Sequence, residues 1–430
     1  MLKEVRNPVL REYLRRYREI YDSFTAQVEQ FGLPFAESRE EELAALRSEL
    51  RACGIAERNE GASLVYGGIC GACDACRTGA GSYTGILSLM CHRNCFFCFN
   101  PNQEEFDDYA SAMKDWRGEL RRLHRRSPEM RYIALTGGEP LLHREDCVEY
   151  FRTARGYWPE ASMRLYTSGD LLDETLLRDL REAGLEEIRF SVKLDDTPER
   201  GEKVLRNLAL AREHIPRVMV EMPVMPEAER EMSELLSRLE ELGIYGINLL
   251  ELCFPCHNAE AFRQRGYALR YPPYRTLYNF WYAGGLPLDG SELLALKLLR
   301  EAARKKARLR IHYCSLENKH FGQVYQQNIG AADAEPTYLM SETDFYLKTV
   351  KVFGRDIREA ERLFRAKQRT DWRTEGDFLQ CSPACASLLR KKDMELGISY
   401  NIREFRDGRP VIRELRIDPV HASEFDAGLL

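Results

Sequence analysis

Met90-Cys-His-Arg-Asn-Cys-Phe-Phe-Cys-Phe-Asn100 is the stretch on which the reading of this chain turns. Cys91, Cys95 and Cys98 stand at C-x3-C-x2-C spacing. Three thiolates cannot complete a cube of four irons, which takes four cysteines when protein alone holds it. One iron is left for a ligand that is not protein, much as a catalytic zinc keeps an open position. Cysteine supplies 13 of the 430 residues, so composition alone yields on the order of 0.01 such triplets. The bland alternative is a zinc knuckle or three buried thiols. Against it stands the preceding stretch, Tyr83–Met90, whose apolar run reads as a buried strand. The triplet therefore opens a strand-to-loop turn.

Downstream, strands and helices alternate. Arg131–Thr136, Ala161–Tyr166, Glu187–Val192, Arg217–Met222 and Gly246–Leu252 read as strands. Helices are predicted over Arg144–Tyr157, Glu174–Ala183, Glu199–Glu213 and Glu229–Leu242. With the strand before Cys91 this makes six β/α units, and right-handed crossovers curl such a series into a barrel or part of one. Chemistry in parallel barrels sits at the C-terminal strand ends. Those ends carry Thr136-Gly137-Gly138-Glu139-Pro140, then Thr167-Ser168-Gly169, then Ser191 and Lys193, then Glu221 and Pro223, then Asn248, Glu251, Cys253 and Cys256. Ser191 and Lys193 alternate onto one face, although Lys193 reads equally as a solvated lysine. Glu221 needs a polar partner if buried; otherwise it is a loop residue. Further helices are predicted over Tyr274–Tyr282 and Glu292–Lys305. A strand over Leu309–Tyr313 follows, with His312, Cys314, Lys319 and His320 at its end as pocket-lining or ligand candidates.

C-x3-C-x2-C followed one strand later by Gly-Gly-Glu-Pro resembles the radical S-adenosylmethionine (SAM) superfamily. The resemblance implies a partial (β/α)6 barrel and a [4Fe-4S] cluster on Cys91, Cys95 and Cys98, with SAM chelating the open iron. It also implies Phe97 beside the adenine, Gly137, Gly138 and Glu139 at the SAM amino group, and Ser168, Ser191, Lys193 and Glu221 as further contacts. The electron would come from flavodoxin or ferredoxin, and the 5′-deoxyadenosyl radical would take hydrogen from a small molecule or a peptide or protein. Over roughly residues 67–320 the pattern is also similar to a group related to pyruvate formate-lyase activating enzymes. An activase placing a radical on a partner protein is the second reading, with the N-terminal helices as a docking surface. A non-catalytic iron–sulfur or zinc protein is the third, and the intact Gly137–Pro140 motif counts against it.

Upstream lies Cys70-Gly-Ala-Cys73-Asp-Ala-Cys76, the first part of a ferredoxin-type run whose fourth cysteine is replaced by Ala80. An auxiliary iron–sulfur cluster is the preferred reading and structural zinc the alternative. The fourth ligand would be distant, among Cys53, Cys147, Cys253, Cys256, Cys314, Cys381 and Cys385, with Cys314 favoured. Residues 1–66 form a helical extension, in which an amphipathic helix over Leu10–Phe24 is expected to cover the main domain. Residues 67–82 form a cysteine-rich loop, 83–330 the barrel, and 331–430 a small α+β domain. That last domain is read as a strand over Phe345–Phe353, helices over Ile357–Ala366 and Pro383–Glu395, and a hairpin about Asp407-Gly408. Cys381 and Cys385 do not match the seven-cysteine extension of peptide-modifying relatives, and no cobalamin-binding pattern occurs.

The net charge of −5 and 44% hydrophobic content fit a soluble globular chain with no call for nucleic acid. No apolar run spans a membrane. Without an apolar leader, the cysteines read as ligands in a reducing cytoplasm.

Overall fold

The computed structural model describes residues 5–276, 285–332 and 335–430. The helix expected over Tyr274–Tyr282 falls largely on 277–284, outside the described residues. The chain divides into two compact units. One is Leu33–Pro273 with Phe280–Lys319; the other is Met1–Gly32 with Tyr274–Asn279 and His320–Leu430.

The larger unit is built on a nine-stranded sheet. Its strands are β1 (Ala56–Arg58), β2 (Ser63–Tyr66), β3 (Ser82–Ile86), β4 (Tyr132–Thr136), β5 (Ser162–Thr167), β6 (Glu187–Phe190), β7 (Arg217–Val224) and β8 (Gly246–Glu251). A small ladder of β9 (Cys253–Phe254) and β10 (Leu286–Pro287) follows, and β11 (Arg310–Cys314) returns to the main sheet. The order is β1-β2-β11-β8-β7-β6-β5-β4-β3. From β3 to β8 and on to β11 every pairing is parallel, while β2 adds to β11 antiparallel. This is the barrel-type parallel sheet expected. Its helices Arg144–Tyr157, Glu174–Glu182, Pro198–His214 and Glu229–Glu241 lie between consecutive strands. The caps explain two of the starts: Asp173 accepts the Leu176 amide, and Thr197 precedes a proline at the first helical position.

Three local differences from expectation have physical causes. The strand before Cys91 ends at Ile86 rather than Met90. The backbone of Leu87 and Leu89 leaves the ladder to pair with Lys114 and Tyr109. The end of the 1–66 stretch, expected to be helical, holds β1 and β2 instead, because Ser63–Tyr66 pairs antiparallel with β11 and completes the sheet edge. The helix expected over Pro383–Glu395 stops at Ala386 and gives way to a 3-10 turn, Ser387–Leu389. Ser387 Oγ donates back to Pro383 O at 3.1 Å, and the chain must be extended by Glu395 to pair in the smaller unit's sheet.

Period-two alternation gives the large sheet a polar interior. Met163, Leu165, Ile188, Phe190, Val220, Ile247 and Leu249 are buried on the helix side. Between them, Arg164, Glu187, Arg189, Asn248 and His312 are buried polar residues.

The smaller unit carries an antiparallel sheet, order β14-β15-β13-β16-β17, with β12 beside β13. Its strands are β12 (Leu339–Met340), β13 (Leu347–Phe353), β14 (Trp372–Glu375), β15 (Phe378–Cys381), β16 (Glu395–Arg406) and β17 (Arg409–His421). The first helix, Pro8–Glu29, is capped by Asn7 and packs Leu10 against Phe353 and Ile417. It therefore belongs to this sheet, correcting the expectation that it covers the barrel. The reason is chemical as well as apolar: Tyr13 and Tyr17 both donate to the Glu414 carboxylate, at 2.7 and 2.5 Å, and Lys351 Nζ lies 2.7 Å from it.

Candidate active site

Cys91, Cys95, Phe97 and Cys98 open onto a cavity of about 640 Å³ in the larger unit. Gly137, Gly138, Glu139, Ser168, Ser191, Lys193 and Glu221 line the same cavity. The strand ends bring them together, although they span more than a hundred residues of sequence.

The cysteine loop is held in place from both sides. Gly138 N donates to Ser88 O at 3.1 Å, Glu139 N to Met90 O at 2.7 Å, and Asn100 Nδ2 to Gly137 O at 2.9 Å. Within the loop, His92 Nε2 lies 2.9 Å and Arg93 Nη1 3.0 Å from the Asp170 carboxylate, and Arg93 also pairs with Asp196. Burial would raise the Asp170 carboxyl. The Ser168 hydroxyl, His92 and Arg93 outweigh that and hold it at about 2. Sequence reasoning missed Arg93 and Asp170; the signal was a cation between two of the cysteines and an acid just past Thr167-Ser168-Gly169.

Glu139 is buried and accepts from Thr167 Oγ1 at 2.7 Å, Ser168 N at 2.6 Å, Ser168 Oγ at 2.5 Å and Leu141 N at 3.1 Å. Four donors fill the acceptor sites of one carboxylate. Glu139 thus locks two strand ends together, leaving the backbone carbonyls of its motif as the groups with spare capacity.

Burial pushes the Cys91, Cys95 and Cys98 thiols up, Cys95 to about 11, and the Lys193 ammonium pulls all three back. Lys193 Nζ donates to Ser191 O and Oγ at 3.1 and 3.2 Å and has no carboxylate partner among the described residues. Thiols so placed become thiolates when a metal replaces the proton. Three sulfurs beside one cation, without a fourth thiol from the loop, are a donor set that fits a cluster with one open iron.

The second cysteine set lies against the polar interior. Cys70 caps a short helix, Gly71–Ala75. Arg189 Nη2 donates to Cys70 Sγ at 2.8 Å and Cys73 Sγ at 3.2 Å, and Asn248 Nδ2 to Cys73 Sγ at 3.3 Å. The Cys70 thiol, hydrogen-bonded to Cys73 and buried, is pushed up. Cys73 accepts that bond, faces Arg189 and His312, and is drawn well below the usual thiol range despite burial. Burial also pushes Cys314 up to about 12, with Cys76 and Cys73 adding to the shift. Among the described residues no three Cys, His, Asp or Glu side chains converge at single-ion range. Arg189 was missed in the sequence, yet it lies two residues before Ser191 on the alternation that picked out Ser191 and Lys193.

Of the remaining thiols, Cys253 lines the cavity. Cys147 is buried and Cys53 exposed. Cys381 and Cys385 are core residues of the smaller unit, packed with Val350, Phe364 and Leu389.

Residues 86–239 match the Radical SAM superfamily, and this domain together with the relatives below supports a radical SAM superfamily enzyme, a class that works with SAM and a [4Fe-4S] cluster. A Methanocaldococcus jannaschii protein named as a glycyl-radical enzyme activating enzyme is 26% identical over 292 residues, covering 66% of this chain and 74% of the relative. A Methanopyrus kandleri protein named as a GTP 3′,8-cyclase is 28% identical over 177 residues, covering 38% of this chain and 54% of the relative. Among solved structures, Streptococcus suis SuiB bound to precursor peptide SuiA is similar at 12% identity with a TM-score of 0.40, covering 62% of this chain and 52% of that one. The anSMEcpe structure with bound AdoMet and Cp18Cys peptide is 19% identical with a TM-score of 0.33, covering 40% of this chain and 51% of that one. The chain spans about half the length of those structures. No helix among the described residues is long and apolar enough to cross a membrane.

Proposed function

We propose that Cys91, Cys95 and Cys98 hold the [4Fe-4S] cluster at the cavity wall, that SAM binds beside it, and that hydrogen is abstracted from a substrate in the same cavity. The observation that carries this is the convergence of the three thiols, the Gly137–Glu139 turn and Lys193 on one cavity. A cluster held by Cys91, Cys95 and Cys98 would supply the electron for reductive cleavage of SAM to methionine and a 5′-deoxyadenosyl radical able to take hydrogen from substrate. The chain's own residues do the positioning. The carbonyls of Gly137 and Gly138 would accept from the SAM amino group, Lys193 would pair with its carboxylate, and Phe97 would pack on its adenine. Ser168, Ser191 and Glu221 complete the wall. Arg93, anchored on Asp170 and Asp196, keeps the cysteine loop closed and water out.

The reading includes an auxiliary iron–sulfur site on Cys70, Cys73 and Cys76, with Cys314 as the fourth thiol. It also includes a flavodoxin or ferredoxin donor and a reducing, cytoplasmic setting. The named activating-enzyme relative favours one further possibility for the substrate, a glycine of a partner protein.

Anaerobic iron counting and SAM cleavage test the proposal. The parent is expected to hold about eight irons, and a Cys91/Cys95/Cys98→Ala variant about four with no 5′-deoxyadenosine formed. Cleavage by that variant would end the reading. A parent with about four irons would end the auxiliary part alone.

A further inference from the structure

We propose that Arg189 positions the Cys70 and Cys73 sulfurs and sets the electron affinity of the metal group they hold, from the wall shared with the substrate cavity. The inference rests on the reading of Cys70, Cys73 and Cys76 as iron–sulfur ligands.

Arg189 is fixed on every side. Its Nε lies 2.7 Å from Glu187 and its Nη1 2.5 Å from Glu221. Its guanidinium sits 5.4 Å from the Tyr166 ring centroid, and its side chain is 2% exposed. Two carboxylates therefore hold one guanidinium in a single orientation, and the remaining nitrogen faces two sulfurs. An arginine fork is suited to this because its donors are coplanar and rigid.

The surrounding network repeats the arrangement. Asn248 Nδ2 donates to Cys73 Sγ and, at 2.6 Å, to Glu221. Asn248 Oδ1 lies 3.1 Å from His312 Nδ1, and His312 Nε2 lies 2.8 Å from Ser63 Oγ. The sulfurs thus sit on a connected polar layer spanning β2, β6, β7, β8 and β11. Such a layer is expensive to bury, and apolar residues of similar volume would fold at least as well. Its disposition matches what ligand sulfurs need: donors that orient them and tune the metal. N–H···S bonds and a nearby cation favour the more negative, reduced state, so they raise a cluster's potential.

Arg189 and Glu221 also line the cavity that holds the first cysteine set. One guanidinium therefore meets cavity contents on one side and the second set of sulfurs on the other. A change at this residue reaches the second site without touching Cys91, Cys95 or Cys98.

The test uses the full chain carrying Cys91, Cys95 and Cys98→Ala, so that only the second site contributes a signal. Iron content and an EPR-monitored redox titration are compared for that background, Arg189→Gln and Arg189→Lys. The expected result is iron retained in both variants, a midpoint potential moved to more negative values in Arg189→Gln, and partial recovery in Arg189→Lys. Iron retained at an unchanged potential in Arg189→Gln overturns the inference. If Arg189→Gln does not fold, Arg189→Lys decides: it keeps the charge but loses the fork, and a potential and EPR line shape equal to the background's overturn the inference. A background chain without iron overturns the underlying reading instead.

Discussion

Replacing Gly138 by alanine tests how the cysteine loop is built. A Cβ on Gly138 would stand 1.9 Å from Met90 O and 2.5 Å from Met90 C. These are backbone atoms of the residue next to Cys91, so no side-chain rotation relieves the overlap. The loop must retreat by about 1.5 Å to reach ordinary contact. That retreat breaks the bonds from Glu139 N to Met90 O and from Gly138 N to Ser88 O. Each is worth about 1 kcal/mol, and overpacking adds roughly 1–3 kcal/mol. A cost of about 3 kcal/mol or more lowers the population of the closed loop at least about a hundredfold. The penalty falls on the loop and not on the strands beneath it. The variant is therefore expected to fold, to lose the iron of the first site and its SAM binding, and to keep the iron of the second. Iron analysis, calorimetric SAM titration and circular dichroism read these separately. Gly156→Ala is the control, because nothing lies within 4 Å of its Cβ position. Full iron and unchanged SAM affinity in Gly138→Ala would refute the reasoning.

Three other predictions follow from single sites. Lys193→Met removes an ammonium without a carboxylate partner, and SAM binding should weaken about tenfold, roughly 1.4 kcal/mol, at unchanged melting temperature; an unaltered Kd removes Lys193 from the SAM site. Asp170 is held at about 2 against an ordinary 3.8, so its contribution of about 2 kcal/mol is complete above pH 4 and disappears as pH falls through 2. Denaturant midpoints of the metal-free chain should therefore decline more steeply over that range than those of Asp170→Asn, and parallel declines would exclude the linkage. Glu414→Leu leaves Lys351 buried without its carboxylate and two tyrosine hydroxyls without their acceptor, costing about 3–5 kcal/mol. Proteolysis should then release the Pro8–Glu29 helix early, whereas a change below about 1 kcal/mol in urea unfolding would show that the network contributes little.

The alternation of apolar strands with amphipathic helices was legible because each β/α unit is a local pattern that must bury its own faces. The strand ends were legible for a related reason: once strands are located, parallel topology dictates which of their ends gather. The placing of the Gly137–Glu139 turn and the Cys91, Cys95 and Cys98 loop on one cavity follows from that rule. The seat of the Pro8–Glu29 helix was not legible in this way. Its apolar stripe announces that it packs on something, but an amphipathic face carries no address. Phe353, Glu414 and Ile417, some three to four hundred residues away, decide it.

By itself the sequence pointed to the class of chemistry, through three thiols at fixed spacing and a glycine turn one strand later, since covalent spacing and local pattern are enough to define such a loop motif. The tertiary structure alone decided that Arg93 is anchored on Asp170, that Glu139 spends its carboxylate on Thr167 and Ser168, and that Arg189 faces Cys70 and Cys73. Those contacts join residues from different strands. Their partners are chosen by strand order and register, which no single segment encodes.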